Sequence, residues 1–410
     1  MLLPASLVAI ARLLPAPLYV VGGWVRNVLA YDDPKGTDID VCSPLTPEEV
    51  RAALTDTPVK IVDVNPRIGT VLLSLEGDSY EYTAFREDSY PIGGVHTPDS
   101  VRFVKDVTSD AKRRDFRCNA VYWDVLQGVA VDPLDGRADI QARLIRCTRT
   151  PQEVFGEDGL RILRLVRLAA RLGWDVHPDT LSTAYEMRDM LRDISWERRQ
   201  TELDAILLAD QAYGYREGLQ KGLALLDRLQ LWPYVFGFEP SEGAKRAACR
   251  IEPDADMRLA ALLADKTPEE IVDSLSHRGL RYSNKRVQKV LDLVKGYRSC
   301  VEGEPLLLVA ASAHLADTVK GVSDLLNACD HPQLAGALLE REHRLLVEQV
   351  PLLPSQLPIE AKQLQQLGIP ADKWGVTLRY LVQEGVLRLH PLTAEECLAL
   401  AADYKEKHLC

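Results

Sequence analysis

The chain has 410 residues, of which 46% are hydrophobic and 27% charged, so it is long enough for two to four folded domains and is not intrinsically disordered. It shows no apolar run of the ~20 residues that a membrane span needs, no basic segment typical of a signal peptide and no Cys-x-x-Cys pair among its eight cysteines. These features predict a reduced, cytoplasmic protein, and a net charge of −11 argues against nonspecific coating of nucleic acid, although residues 101–200 hold 18 basic and 16 acidic residues.

The first ~140 residues predict a mixed α/β head. The segment LYVVGG (18–23) is typical of a short buried strand that ends in a glycine turn, and WVRNVLAY indicates a helix directly after it. DIDVCS (38–43) predicts a second strand. TVLLSLEG and SYEYTAF (70–85) predict a hairpin that turns at Gly77 and Asp78.

After Asp139 the pattern changes to leucine, alanine and arginine at helical spacing. Proline and glycine then fall mainly between the predicted helices, as in GWDVHPDT and LLPSQLPIE. We therefore predict an α+β head followed by a long all-helical remainder.

The glycine turn is a candidate phosphate site. Gly22 and Gly23 allow backbone N–H groups at a helix start to approach phosphate oxygens, and Arg26 adds a cation in the first turn.

Asp38 and Asp40 follow on the second predicted strand, where residues i and i+2 share one face. Two aligned carboxylates beside a phosphate cradle suit Mg²⁺, although an isolated Asp-x-Asp is more often a solvated pair on an edge strand. The arrangement resembles nucleotidyltransferases of the DNA polymerase β type. That resemblance implies a third catalytic carboxylate, for which Glu81 is the candidate, with a half-exposed strand position as the alternative.

Five segments in order resemble the family of class II tRNA nucleotidyltransferases and bacterial poly(A) polymerases. They are GGWVRN with DID, RRDFRCNA (113–120), DPLDGRADI (132–140), EDGLRILR (157–164) and ISWERRQTEL (194–203). The resemblance implies a nucleotidyltransferase head over residues 1–140, a nucleotide-recognising helical neck over 141–205, a helical body over 206–300 and a tRNA-binding helical tail over 301–410, in an elongated arrangement.

The EDGLRILR segment predicts a helix with Asp158, Arg161, Arg164 and Arg167 drifting along one face. Cytosine and adenine both present an amino donor beside a ring-nitrogen acceptor, whereas uracil and guanine present the reverse. An Asp that accepts and an Arg that donates would therefore select C or A, which resembles the family's use of this motif. The alternative is a surface ion pair between Asp158 and Arg161.

The resemblance also implies roles for other residues. Arg164 and Arg167 would hold Asp158 and the phosphates, Arg114 and Asp115 would contact ribose or phosphate, and Asn119 would contact the triphosphate. A helix cap is the alternative role of Asp115. The chain departs from the family pattern at Asn27, usually Asp, and at Arg117, usually Thr or Ser.

The function that these motifs imply is addition of C, C and A to tRNA from CTP and ATP, with Mg²⁺ held by Asp38 and Asp40 and without a membrane or an obligate protein partner. A CC-adding enzyme, an A-adding enzyme and a poly(A) polymerase share the motifs. The segment 86–101 predicts an intact mobile loop, which favours complete CCA addition over CC addition. A non-catalytic RNA-binding protein and a transferase acting on a small molecule or protein are alternatives from other classes.

Overall fold

The computed structural model describes residues 3–34, 36–89 and 100–409, and the chain forms two compact units, Met1–Gly237 and Phe238–Cys410. The strands of the described residues all lie in the first unit, and the second unit is helical. The predicted α+β fold class is therefore confirmed. The division into head, neck, body and tail stays a prediction.

The strands pair into one large sheet and two small ones. In chain order they are β1 (Tyr19–Val21), β2 (Asp40–Ser43), β3 (Lys60–Asn65), β4 (Thr70–Leu75), β5 (Asp78–Ala84), β6 (Arg86–Ser89), β7 (Ser100–Phe103), β8 (Tyr122–Asp124), β9 (Ala130–Val131), β10 (Leu144–Ile145) and β11 (Asp175–Val176). The large sheet has the order β3-β4-β5-β2-β1-β8-β9, whereas β6 pairs with β7 and β10 with β11. β2 lies centrally, antiparallel to β1 and parallel to β5.

The helices of the first unit surround this sheet and continue beyond it. They are α1 (Ala5–Leu13), α2 (Gly23–Tyr31), α3 (Pro47–Leu54), α4 (Val107–Arg113), α5 (Gly136–Gln141), α6 (Pro151–Glu157), α7 (Leu160–Leu172), α8 (Pro178–Glu186), α9 (Trp196–Leu207), α10 (Gly218–Arg228) and α11 (Trp232–Val235). α7 is buried along most of its length, and it packs against α9 and α10.

The helices of the second unit are α12 (Glu242–Arg250), α13 (Ala255–Leu262), α14 (Pro268–Leu275), α15 (Asn284–Val301), α16 (Leu306–Leu315), α17 (Val319–Ala328), α18 (Pro332–Val347), α19 (Ala361–Gln366), α20 (Trp374–Arg388) and α21 (Ala394–His408). A hydrophobic cluster that includes Leu364, Leu381 and Cys397 joins the last three of these helices. In the part of the chain that the structure describes, no helix is long and apolar enough to cross a membrane.

Most strand predictions for the head are confirmed, including β1, β2 and the hairpin of β4 and β5. Two predictions are corrected. Asp38 lies before β2 rather than on it, because pairing with β1 begins at Asp40. The two ends of the predicted loop 86–101 form the ladder of β6 and β7, and residues 90–99, with the loop's glycines, lie outside the described residues.

Aromatic packing supports the sheet beneath the candidate site. Tyr19 on β1 stacks on Phe85 with ring centroids 5.8 Å apart, and Tyr122 on β8 meets both rings edge-on. This buried cluster also contains Val21 and Cys42. The ends of β1 and β2 are thus placed on a rigid apolar base.

Candidate active site

A tight glycine turn connects β1 to α2. Gly22 has φ +86°, a conformation that L side chains rarely adopt, and a Cβ built on it would lie 3.7 Å from Asp40 Oδ2. A Cβ on Gly23 would lie only 2.9 Å from Thr37 Cγ2. The two glycines therefore bring the N-terminus of α2 close to the carboxylate of Asp40, as the phosphate-site prediction requires.

Three carboxylates meet at the edge of the cleft. Asp40 is in register with Val21 on β1 and with Glu81 on β5, and Asp38 lies two residues before Asp40. All three acidic side chains are exposed, and within the described part of the chain none of them forms an ion pair. Asp40 and Glu81 are thus neighbours on adjacent strands, and Asp38 lies just before β2.

The trio is electrostatically unbalanced. Desolvation, followed by repulsion from Glu81, raises the pKa of Asp40 to about 6; Arg114 lowers it and Asp38 raises it further. Among the described residues, no group of three or more His, Cys, Asp or Glu side chains is arranged so that it could hold a metal ion by itself. Exposed carboxylates that repel one another suit a hard divalent cation that keeps water and phosphate ligands as well.

Arg26 is buried beneath the turn rather than extended into the cleft. Its Nη1 donates to Asn119 Oδ1 at 2.5 Å, its Nε and Nη2 donate to Asn27 Oδ1, and its guanidinium lies 5.6 Å from the centroid of the Tyr213 ring. Asn27 in turn donates to Thr37 Oγ1 at 2.7 Å. The amide at position 27 therefore joins Arg26 to the loop before β2. Phosphate contacts by Arg26 and Asn119 stay predictions.

Arg114 forms the floor of the cleft with a buried acid. Its Nε donates to Asp110 Oδ2 at 3.2 Å and to the Tyr122 hydroxyl at 3.1 Å. Burial of Asp110 opposes ionisation, but Arg114 and Arg113 outweigh it and lower the Asp110 pKa to about 2. Arg114 therefore keeps a fixed orientation, and its charge reaches Asp40.

The Asp115 carboxylate is held by Arg164 on α7. Its Oδ2 accepts from Arg164 Nε at 2.8 Å and Nη2 at 2.6 Å, and its Oδ1 accepts from the Phe116 N–H at 2.8 Å. Burial opposes ionisation, yet Arg164 and Arg161 lower the Asp115 pKa to about 2. Arg164 thus meets Asp115, a partner that linear spacing does not show, and its predicted support of Asp158 stays a prediction.

Asp158 lies between two helices, so its predicted position on a continuous helix is wrong. α6 ends at Glu157, and Asp158 is extended with φ −148° and ψ 104°. α7 begins at Leu160 after Gly159, on which a Cβ would meet the Met190 carbonyl oxygen at 2.7 Å. The break thus lies at Asp158, and the close approach of Met190 leaves room only for a glycine at position 159.

Arg161 is fixed from several sides. Its Nη1 donates to the Val154 carbonyl at 3.0 Å and to Glu157 Oε2 at 2.9 Å, and its Nη2 donates to the Arg113 carbonyl at 2.9 Å. Its side chain is nearly buried. The alternative prediction is a surface ion pair between Asp158 and Arg161. Arg161 instead makes several buried contacts, and two of its acceptors are backbone carbonyls of other segments.

Arg167 lies deeper in the neck and pairs with Glu202 on α9, with Nε 3.1 Å from Oε2. Burial raises the pKa of Glu202 and lowers that of Arg167, so each charge depends on the other. The pair links α7 to α9, and contact of Arg167 with nucleotide phosphates stays a prediction.

Sequence reasoning missed Arg198, whose Nη2 lies 2.6 Å from Asp158 Oδ2. The pair spans 40 residues, and the sequence signal is slight: Arg198 and Glu202 are four apart on α9, which puts them on one face.

One cavity of about 360 Å³ joins these parts. Most of the predicted residues line it, together with five residues that sequence reasoning did not assign. The lining residues are Gly22, Gly23, Asp40, Arg86, Asp88, Arg113, Arg114, Asp115, Asn119, Asp158, Leu160, Arg161, Arg164 and Arg198. Asp38, Glu81, Arg26 and Arg167 lie outside the lining. The volume suits a nucleotide-sized ligand with phosphates at the glycine turn and a base at the neck.

Comparisons with known proteins agree with this geometry. Residues 18–146 match the family described as the poly A polymerase head domain. The CCA-adding enzyme of Lactococcus lactis subsp. cremoris is 33% identical over 287 residues, covering 68% of this chain and 67% of that one. The CCA-adding enzyme of Lactobacillus gasseri is 29% identical over 390 residues, covering 93% of each. Among such relatives the aligned share of the relative's own length runs from 45% to 93%.

The likeness extends to three dimensions. The crystal structure of the Bacillus stearothermophilus CCA-adding enzyme in complex with CTP aligns with a TM-score of 0.74 at 25% identity, over 98% of both chains. The sheet, the long helical remainder and the order of the elements are therefore shared with that enzyme.

Proposed function

Because this chain belongs to the family of CCA-adding enzymes, as the motifs also indicate, we propose that it adds C, C and A to the 3′ end of tRNA. CTP and ATP are the substrates, pyrophosphate is released, and no nucleic-acid template is used. The observation that carries the proposal is the single cavity that contains Gly22, Asp40, Asp158 and Arg161. A phosphate site, a catalytic carboxylate and a base-selecting pair are within reach of one nucleotide.

Asp38 and Asp40 would hold Mg²⁺, the ion that suits their chemistry. Both offer exposed carboxylate oxygens, and the pKa of Asp40 is raised by desolvation and then by repulsion from Glu81, of which a bound cation would offset the second. When bound, Mg²⁺ supplies charge neutralisation at the phosphates and a more acidic attacking hydroxyl. Glu81, in register with Asp40, adds to the local negative charge and is the proposed third catalytic carboxylate.

The other residues orient the reactants. The N–H groups that follow Gly22 bind phosphate oxygens, and Arg114 presents a fixed cation on the same side of the cleft as Asp40. The tRNA 3′-hydroxyl attacks the α-phosphate in line with the departing pyrophosphate. Most of the catalytic effect of these residues comes from position and charge.

Base choice belongs to the neck. Asp158 accepts from the exocyclic amino group of C or A, and Arg161 donates to the adjacent ring nitrogen. U and G place a carbonyl opposite the carboxylate and an N–H opposite the guanidinium. Both buried groups then lose their partners, which is costly in a cleft with little water. The cytoplasm, where tRNA, CTP and ATP occur together, is the proposed compartment.

The test uses the purified protein with Mg²⁺ and three tRNA transcripts, ending before CCA, in C and in CC. Each transcript is incubated with labelled CTP, ATP, UTP or GTP, or with CTP and ATP together, and resolved at one nucleotide. With CTP and ATP together, the transcript lacking CCA should gain C, C and A and then stop, while UTP and GTP are refused. Arrest after CC, extension of the CC-ended tRNA alone, or a long A ladder would instead identify a CC-adding enzyme, an A-adding enzyme or a poly(A) polymerase. No incorporation would favour a binding protein.

A further inference from the structure

The two residues of the base-selecting pair are supported in different ways. Arg161 is on α7 and donates to two backbone carbonyls and to Glu157, so its orientation follows from the fold around it. Asp158 is on no helix, and its backbone is extended between α6 and α7. The orientation of its carboxylate therefore depends on side-chain contacts more than that of Arg161 does.

At least one donor holds each oxygen of the Asp158 carboxylate. Oδ1 accepts from the Leu160 N–H at 3.0 Å, which closes the first turn of α7. Oδ2 accepts from Arg198 Nη2 at 2.6 Å. The backbone donor fixes one oxygen, and a charge-assisted bond to α9 fixes the rotation of the other.

Arg198 is itself well placed to do this. It lies in the first turn of α9, where the Ser195 hydroxyl accepts from the Arg198 N–H. Four residues further along, the ion pair of Glu202 with Arg167 joins α9 to α7. Arg198 also lines the same cavity as Asp158, with its side chain 39% exposed. α9 is thus held beside the base-selecting pair, and Arg198 reaches the carboxylate from it.

We infer that Arg198 is a positioning residue that sets nucleotide selectivity by locking the carboxylate of Asp158 in the orientation that accepts an amino group. The inference rests on the proposed function. A carboxylate has about four acceptor positions, so Asp158 bound to Leu160 and Arg198 retains the capacity to accept from C or A. Without Arg198, the Oδ2 end of the Asp158 carboxylate can rotate. A water molecule or the rotated carboxyl group can then hydrogen-bond to U or G.

The test compares Arg198→Ala, Arg198→Lys and Arg192→Ala with the wild type. Arg192 is the matched control, because it forms an exposed ion pair with Asp189 on the segment before α9. For each protein, kcat and KM are measured for CTP and UTP on tRNA lacking CCA and for ATP and GTP on tRNA ending in CC. Circular dichroism checks that each variant is folded.

In Arg198→Ala we expect the CTP-to-UTP and ATP-to-GTP ratios of kcat/KM to fall by about tenfold, mainly through a higher KM for C and A and easier use of U and G. Arg198→Lys should restore part of the ratio, because an ammonium can still reach Oδ2. Arg192→Ala should match the wild type. In an Asp158→Ala background, replacing Arg198 should change the ratios no further.

Equal loss of activity with all four nucleotides would overturn the inference, because it would mean that Arg198 supports the fold or binds a group common to every nucleotide. A full additional effect in the Asp158→Ala background would also overturn it. If Arg198→Ala does not fold, the lysine variant decides: wild-type ratios with a lower Tm would contradict the inference. The proposed function fails separately, when the wild type does not itself prefer C and A.

Discussion

Within the first unit, the acidic side chains around β2 and those around α7 lie in opposite electrostatic environments. Around the central strand β2, Asp38, Asp40 and Glu81 are exposed, and desolvation together with repulsion from Glu81 and Asp38 raises the pKa of Asp40 to about 6. In and beside the neck, Asp115 and Asp158 are buried against arginines, and Arg164 holds the pKa of Asp115 to about 2. An unbalanced cluster of carboxylates attracts a cation, whereas carboxylates paired with arginines keep the fixed geometry that discrimination between bases needs.

The largest effect should come from removing the charge of Asp40. Asp40→Asn keeps the shape but weakens the proposed metal site, so we expect nucleotide transfer to fall by roughly 10²–10³-fold or more. Single-turnover incorporation on tRNA lacking CCA measures it, and a gel-shift assay should show unchanged tRNA binding. Asp63→Asn, an exposed acid on β3, is the control. Near-normal transfer by Asp40→Asn would remove the catalytic role.

Breaking a balanced pair should reduce stability instead. Asp115→Asn leaves Arg164 without its counter-charge, and we expect the free energy of unfolding to fall by about 2–3 kcal/mol, measured by urea denaturation. Asp273→Asn, in an exposed ion pair with Arg278, should show no measurable change.

The same pair predicts the direction of the pH dependence. The Asp115 pKa of about 2 in the folded chain lies below the unfolded value near 4. The pair therefore stabilises fully above that unfolded value, and its contribution is lost as the pH falls from about 4 to about 2. Asp115→Asn should flatten this part of the stability profile. A variant that keeps the wild-type slope would place the acid sensitivity elsewhere, for example at Asp110.

Removing the base-selecting pair should change nucleotide selectivity more than the rate of nucleotide transfer. In the double variant Asp158→Ala with Arg161→Ala, we expect the CTP-to-UTP ratio of kcat/KM to fall by roughly 10–100-fold. The four-nucleotide assay measures it, with Arg192→Ala as the control. Unchanged preference for C and A in the double variant would contradict the template role.

The smallest effect is competition between protons and the metal ion in the head. Because the Asp40 pKa is about 6, the carboxyl is mostly ionised at pH 7.5 and mostly protonated at pH 5. The Mg²⁺ concentration for half-maximal transfer should rise by about tenfold over that range. Chelation with EDTA should stop transfer and added Mg²⁺ should restore it. A Mg²⁺ requirement that does not vary with pH would mean that Asp40 does not bind the ion.

Local patterns predicted the parts of the fold that short segments determine. The alternation around Asp40, the glycines at 22 and 23 and the hairpin at Gly77 are all visible within a few residues. Helical spacing failed at Asp158, because this residue is extended and its carboxylate accepts from the Leu160 N–H and from Arg198, 40 residues away. The position of Asp38 failed for a similar reason, since pairing with β1 decides where β2 begins.

The partners of the charged residues were the least predictable part of the site. Arg198 with Asp158, Arg164 with Asp115 and Arg26 with Asn119 join residues 40 to 93 positions apart. Composition shows that arginines are concentrated in this region, but only the packing of α7, α9 and the sheet decides which acid each arginine meets.

The central claim is that chemistry resides at the head carboxylates and base choice at the neck. Its most direct test is equilibrium binding of all four nucleotides to Asp40→Asn, by calorimetry, in the presence of tRNA lacking CCA. We expect this variant, although unable to transfer, still to bind CTP more tightly than UTP by the same ratio as the wild type. Loss of that preference in Asp40→Asn would show that the two regions do not act separately and would contradict the account.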